Sequence, residues 1–177
     1  MRRIPQKRLD LVAFLAALCL FFSMLEYLLP KPVPFFRLGL ANLPILLALD
    51  LLMPGELFLL VAVKAVGQGV INGTLASYVF LFSAAGSVAS AVVMFVAHRV
   101  LNRRITLVGI SLLGALASNA VQISLSVTLI FGSSAWVIAP LFGAIGTVSG
   151  LVVGLFAERF RVRSTWLERV KEHLDGR

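Results

Sequence analysis

The chain has 177 residues, of which 59% are hydrophobic and only 14% charged, and its mean hydropathy is +0.98. A soluble domain of this length needs far more polar surface to cover its core, so that class is excluded and the bilayer is the fitting solvent. The formal charge of +8 does not point to nucleic acid, because the lysines and arginines stand beside hydrophobic runs, where a membrane protein uses them to fix its orientation.

Length leaves room for one membrane domain and none for an attached soluble enzyme. Cys19 is the only cysteine and lies in an apolar run, so a disulfide framework or a cysteine metal site is not expected. The first apolar stretch, 9–29, follows Met1-Arg2-Arg3. It is too long for the core of a signal peptide and no small-x-small cleavage site follows it, so it reads as a retained first helix. A helix needs about 20 residues to cross about 30 Å of hydrocarbon. Further stretches near that length follow at 38–53, 56–73, 78–97, 106–130 and 135–157, the first of these being short. Pro54-Gly55, Asn72-Gly73 and Gly132-Ser133-Ser134 supply the breaks.

The expected fold is therefore all-α, a polytopic six-transmembrane-helix bundle over 1–157 with a basic amphipathic tail over 158–177. Phe160, Arg163, Leu167, Val170 and Leu174 fall roughly on one side of that tail, which suits a helix lying on the inner leaflet or one that binds a partner. With six spans, 13 of the 16 basic residues lie on the side of the two termini; Lys31 and Arg37 fall on the other side and Lys64 within a span. That bias makes both termini cytoplasmic and places the chain in a bacterial inner membrane.

Polar residues inside the spans are costly and therefore informative. Glu26, Tyr27, Asn42, Gln68, Asn72, Asn119 and Gln122 all fall toward the outer side. The loop Pro30–Arg37 adds Lys31, Arg37, Phe35 and Phe36 there. Gln68 and Asn72 are four apart, and Asn119 and Gln122 three apart, so each pair shares one helix face. Two readings follow: an aromatic-lined small-molecule site, or hydrogen bonding between helices, which uses the same residue types. Asp50 and Lys64, on neighbouring spans, suggest a buried ion pair, or alternatively a proton or ion relay. Gly146, Gly150 and Gly154, Gly86 and Ser90, and Ala13 and Ala17 recur at every fourth position and mark close helix approach or subunit docking.

No phosphate-binding loop is present, since no lysine precedes serine or threonine, and no adjacent aspartates occur. ATP hydrolysis by that loop and aspartate-held metal chemistry on prenyl diphosphates are both excluded. His98 and His173 stand apart from other ligand types, and no metal, cofactor or catalytic residue is expected. Asn72-Gly73-Thr74 fits a glycosylation sequon but abuts the membrane and reads as chance.

The stretch Phe36-Arg37-Leu38-Gly39-Leu40-Ala41-Asn42-Leu43-Pro44, set after a first helix and a proline-rich outer loop, resembles the Gx transporter family, also known as heptaprenyl diphosphate synthase component I. The likeness continues through Phe80–Gly86 and Gly114-Ala115 to Asn119 and Gln122. This family is similar to the S components of energy-coupling factor (ECF) transporters: six-helix proteins that capture vitamins from outside and depend on a separate transmembrane subunit and ATPases. The resemblance implies an uptake subunit in which Glu26, Arg37, Asn42, Gln68, Asn72, Asn119 and Gln122 hold the substrate. Ala13-x-x-x-Ala17 would then be the contact for the coupling subunit. The cations near aromatics suggest an anionic, partly aromatic ligand, vitamin- or quinone-precursor-like. The synthase name implies something else, a non-catalytic membrane partner of a prenyltransferase. A stand-alone secondary carrier using Asp50 and Lys64 is a third possibility.

Overall fold

A computed structural model describes residues 5–28, 39–101 and 104–175, and all regular structure among them is helical. Helices α1 (Gln6–Leu28), α3 (Pro54–Ile71), α4 (Tyr78–Leu101), α5 (Leu107–Ser126) and α6 (Ala139–Arg163) are each long and apolar enough to cross a bilayer. Their starts follow local chemistry. At α3, Pro54 occupies the first turn and the Met53 N–H donates to Glu56 Oε2 at 2.9 Å. At α5, Thr106 Oγ1 accepts from the Gly109 N–H at 3.2 Å. Both arrangements satisfy amide groups that a helix leaves unpaired at its first turn.

The expected continuous helix over 38–53 is corrected. Within it the described residues form a 3-10 turn at Leu40–Asn42, the six-residue helix α2 (Leu43–Ala48), and a further turn. Pro44 lies in the first turn of α2, where its missing N–H is harmless. The N–H groups of Leu51 and Leu52 both fold back onto the Ala48 carbonyl, at 3.0 and 2.9 Å, and close the helix. Irregular backbone is tolerated at membrane depth only where protein encloses it. Here Ile45, Leu46 and Ala48 are at most 1% exposed.

Helices α1 and α3 run in the same direction. Arg8 Nη1 meets Glu56 Oε2 at 3.1 Å near their starts, and Gln68 donates to Ser23 near their ends. The segment 39–53 thus begins beside the end of α1, where the Gly39 N–H donates to Glu26 Oε2 at 3.2 Å, and leads back to the start of α3. Helices α4, α5 and α6 then alternate in direction. Phe58 packs on Phe95, a Cβ on Gly114 would meet Met94, and Glu158 Oε2 accepts from the Leu107 N–H at 3.0 Å.

Beyond α5 the chain loosens into a π turn (Val127–Phe131) and a 3-10 turn (Gly132–Val137), so α6 starts at Ala139 rather than at 135. It continues to Arg163, past the expected start of the tail at 158. Helix α7 (Thr165–Asp175) follows. It buries Leu167 in the core, lays Val170 and Leu174 against it, and sets the Trp166 ring 5.6 Å from that of Phe14. Its apolar side therefore packs against the end of the bundle where α1 begins.

The glycine stripe works as its spacing suggests. A Cβ on Gly154 would stand 2.6 Å from Val108 Cα, and one on Gly150 would stand 3.1 Å from Ala115 Cβ. Only residues without a side chain let α5 and α6 approach this closely.

Candidate functional site

Four of the polar residues named from the sequence converge. Glu26 of α1, Asn42 beside α2, Gln68 of α3 and Asn119 of α5 line one internal chamber, joined by Lys64 of α3. Its wall is completed by Ser83 and Ser87 of α4, Ser118 of α5 and Ser149 of α6, with Gly39, Ala41, Ala115 and Gly146 keeping it open. Glu26 and Lys64 are 1% and 2% exposed, and Gln68 and Asn119 are 2% and 4% exposed. Carboxylate and ammonium groups so deep are expensive, and they occur where a chain uses them.

Each polar group is reached through a specific local feature. Gly39 adopts φ +89°, a left-handed conformation that glycine tolerates without strain, and its N–H faces Glu26. Asn42, immediately after this turn, accepts from Lys64 Nζ and donates to Ser90 Oγ at 3.3 Å, so it joins α3 and α4 to the short segment. Gln68 donates to Ser23 across the α1–α3 contact. Asn119 Nδ2 donates to the Phe142 carbonyl at 2.7 Å and lies where a Cβ on Gly146 would be. Interhelical hydrogen bonding is thus present at Asn42, Gln68 and Asn119. It does not exhaust their capacity, because Gln68 Oε1 is buried and has no donor.

The remaining expectations separate. Gln122 is fully buried but turns toward α4. Its Nε2 donates to Ser118 Oγ at 3.1 Å and lies 3.0 Å from where a Gly86 Cβ would stand, while its Oε1 has no donor. It sits behind the chamber wall. Asn72 ends α3, half-buried, with Nδ2 unpaired, and is not among the lining residues. Arg37, Lys31, Phe35 and Phe36 lie outside the described residues, as does the side chain of Tyr27. Among the described residues no aromatic side chain lines the chamber.

The expected Asp50–Lys64 pair is corrected. Asp50 Oδ1 lies 3.3 Å from His98 Nε2 and Asp50 Oδ2 3.7 Å from Arg161 Nη1, at the end of the bundle where α1 and α3 begin. Lys64 turns to Asn42 in the chamber. His98, expected to stand alone, instead ties the turn after α2 to α4. The serines of the wall were missed. Ser83, Ser87 and Ser90 recur at spacings of four and three, a one-face pattern that marks α4 as chamber-facing. Ala13 and Ala17 both lie on the exposed face of α1.

In its described form the chamber is closed. Its free volume is about 20 Å³, room for one or two waters and far below the roughly 300 Å³ at which small-molecule pockets begin. What it offers is a desolvated set of hydrogen-bonding groups from five helices and the short segment, with one carboxylate and one ammonium among them. No cluster of metal-binding residues exists among the described residues. The chain is a multi-pass membrane protein whose helices enclose a polar chamber. The description "heptaprenyl diphosphate synthase component I" matches it over residues 15–160, and the chain belongs to that family. No curated protein and no solved structure matches it.

Proposed function

We propose that this protein is a membrane-embedded, non-enzymatic substrate-binding subunit, similar to an ECF S component, for uptake of a vitamin- or quinone-precursor-like small molecule. The chain crosses a bacterial inner membrane six times, the second time by the short segment 39–53, with both termini in the cytoplasm. Support for this topology comes from the parallel α1 and α3, which need a return crossing between them, and from Arg8, Arg99, Arg104, Arg159, Arg161, Arg163 and Arg169, all near one end.

The observation that carries the reading is the buried chamber lined by Gln68, whose buried Oε1 has no protein donor. A buried acceptor without a donor costs about 1–3 kcal/mol, and a ligand bearing an N–H or O–H group recovers that cost. Entry requires the bundle to open, with Lys64, Asn42 and Gln68 exchanging their present partners for the ligand. Nothing here couples to ATP, so release depends on a separate ATPase module. The exposed Ala13–Ala17 face of α1 is its docking surface.

Native mass spectrometry of the detergent-purified protein tests the binding role. A retained small molecule, lost in Gln68→Leu, is the expected result; no retained compound in either protein overturns it. Ala13→Trp or Ala17→Trp is expected to abolish uptake while leaving binding intact. Co-purification with an ATPase module that survives both changes removes the docking claim.

The family name favours a second reading, an accessory membrane subunit of polyprenyl diphosphate synthesis. Chain elongation that requires this protein, with no water-soluble ligand bound, would select it.

A further inference from the structure

The cleft between α1 and α7 is used by none of the roles above. It is a groove of about 430 Å³, within the range of small-ligand pockets. Leu11 forms its floor from α1, and Trp166, Val170 and Leu174 form its far wall from α7. Its rim is charged: Lys7 and Arg169 stand on opposite helices, with Asp10 beside them. All three are exposed, and two cations against one carboxylate leave the rim positive. At one end the groove meets the Phe14–Trp166 contact, and Phe14 is 48% exposed on the outer face of α1. The apolar floor therefore runs on into the bilayer-facing surface of a spanning helix, while Lys7 lies nearer the start of that helix.

We propose that this groove is a binding site for one anionic phospholipid. An acyl chain lies along Leu11, Val170 and Leu174, and the headgroup phosphate sits between Lys7 and Arg169. The occupant is a lipid because only an amphiphile matches both halves of the groove, and because the apolar half is continuous with surface already facing hydrocarbon. Trp166, half-buried at the junction, is the residue type that settles at a membrane interface. A bound lipid also explains why an 11-residue helix can hold its apolar side here with part of it uncovered.

The test uses Trp166 as reporter in a Trp136→Phe background, with the full chain in symmetric vesicles, so that orientation is immaterial. Vesicles contain phosphatidylcholine with a small fraction of brominated phosphatidylglycerol or, for comparison, brominated phosphatidylcholine. Bromine quenches an indole it touches. The expected result is preferential quenching by the anionic lipid, with its apparent affinity falling roughly fivefold for each of Lys7→Gln and Arg169→Gln, the share of one basic side chain near an anionic surface. Arg163→Gln, an exposed cation that does not line the groove, keeps the preference. Equal quenching by both lipids, a preference that survives the double variant, or one lost equally in Arg163→Gln overturns the proposal. The chamber ligand plays no part in this readout.

Discussion

Alanine at Gly154 measures how tightly α5 and α6 are joined. The new Cβ would stand 2.6 Å from Val108 Cα, against 3.4 Å at the near edge of ordinary contact. The obstruction is main chain, which cannot swing aside, so the helices must part by about 0.8 Å. Overpacking of this kind costs about 1–3 kcal/mol. The control is Gly143→Ala on the same helix, where a Cβ meets nothing within 4 Å. Replacing glycine by alanine in a helix stabilises by roughly 0.5–1 kcal/mol, and this gain is common to both variants, so their difference isolates the seam. A difference of about 2 kcal/mol corresponds to roughly 4–8 °C in a chain of this size. Thermal unfolding in one detergent, followed by circular dichroism, reads it. Gly150→Ala, facing Ala115 Cβ at 3.1 Å, should fall between. If Gly154→Ala melts with Gly143→Ala, the seam is not close-packed and the chamber wall built on it is looser than described.

Three further expectations concern the polar groups. Lys64→Met leaves the Asn42 amide oxygen without its donor and should cost about 1–3 kcal/mol, while the Lys64→Met/Asn42→Leu double variant costs clearly less than the sum of the two single variants; additive unfolding energies would mean the two do not interact. Gly146→Ala displaces the Asn119 amide from its bond to Phe142 and should weaken ligand retention in native mass spectra more than Gly150→Ala does. Asp50→Asn loosens contacts to His98 and Arg161 whose side chains are 23% and 40% exposed. Such ion pairs contribute only about 0–1 kcal/mol, so global stability should barely move, whereas amide exchange across 43–53 should quicken. Unchanged exchange there would show that packing alone holds the segment.

The long helices were legible because hydrophobic runs of bilayer length fit little besides a membrane span, and the four-residue stripe of glycines announced a close approach whose partner, α5, only the structure supplies. Which face a side chain takes was harder to read. Asn119 and Gln122, three apart, were assigned one face, yet three residues turn a helix by 300°, leaving about 60° between them. That is enough to send Asn119 to Gly146 of α6 and Gln122 to Gly86 of α4. The Asp50–Lys64 pairing fails for a different reason. Asp50 emerges at His98 and Arg161, at the end of the bundle where α1 and α3 begin, whereas Lys64, midway along α3, meets Asn42 in the chamber. The serines escaped notice because, among small residues, a hydroxyl reads as packing until its neighbours are known.

Local pattern could not reveal the break in that segment, since Leu43–Ala48 and the residues after it read as helix throughout. What ends the helix is tertiary: enclosure by the long helices satisfies a backbone that lipid could not. The consequence falls on the chamber. A helix continuous from 38 would hold Gly39 near φ −63°; at +89° its N–H faces Glu26. The turn then delivers Asn42 between Lys64 and Ser90. Were the segment a regular span, two of the six pieces of chain that build the chamber wall would meet differently, and the acidic and basic groups would lose the backbone and amide that receive them. The irregular segment and the polar interior are one feature, and local reasoning fails at the same place where the candidate site is built.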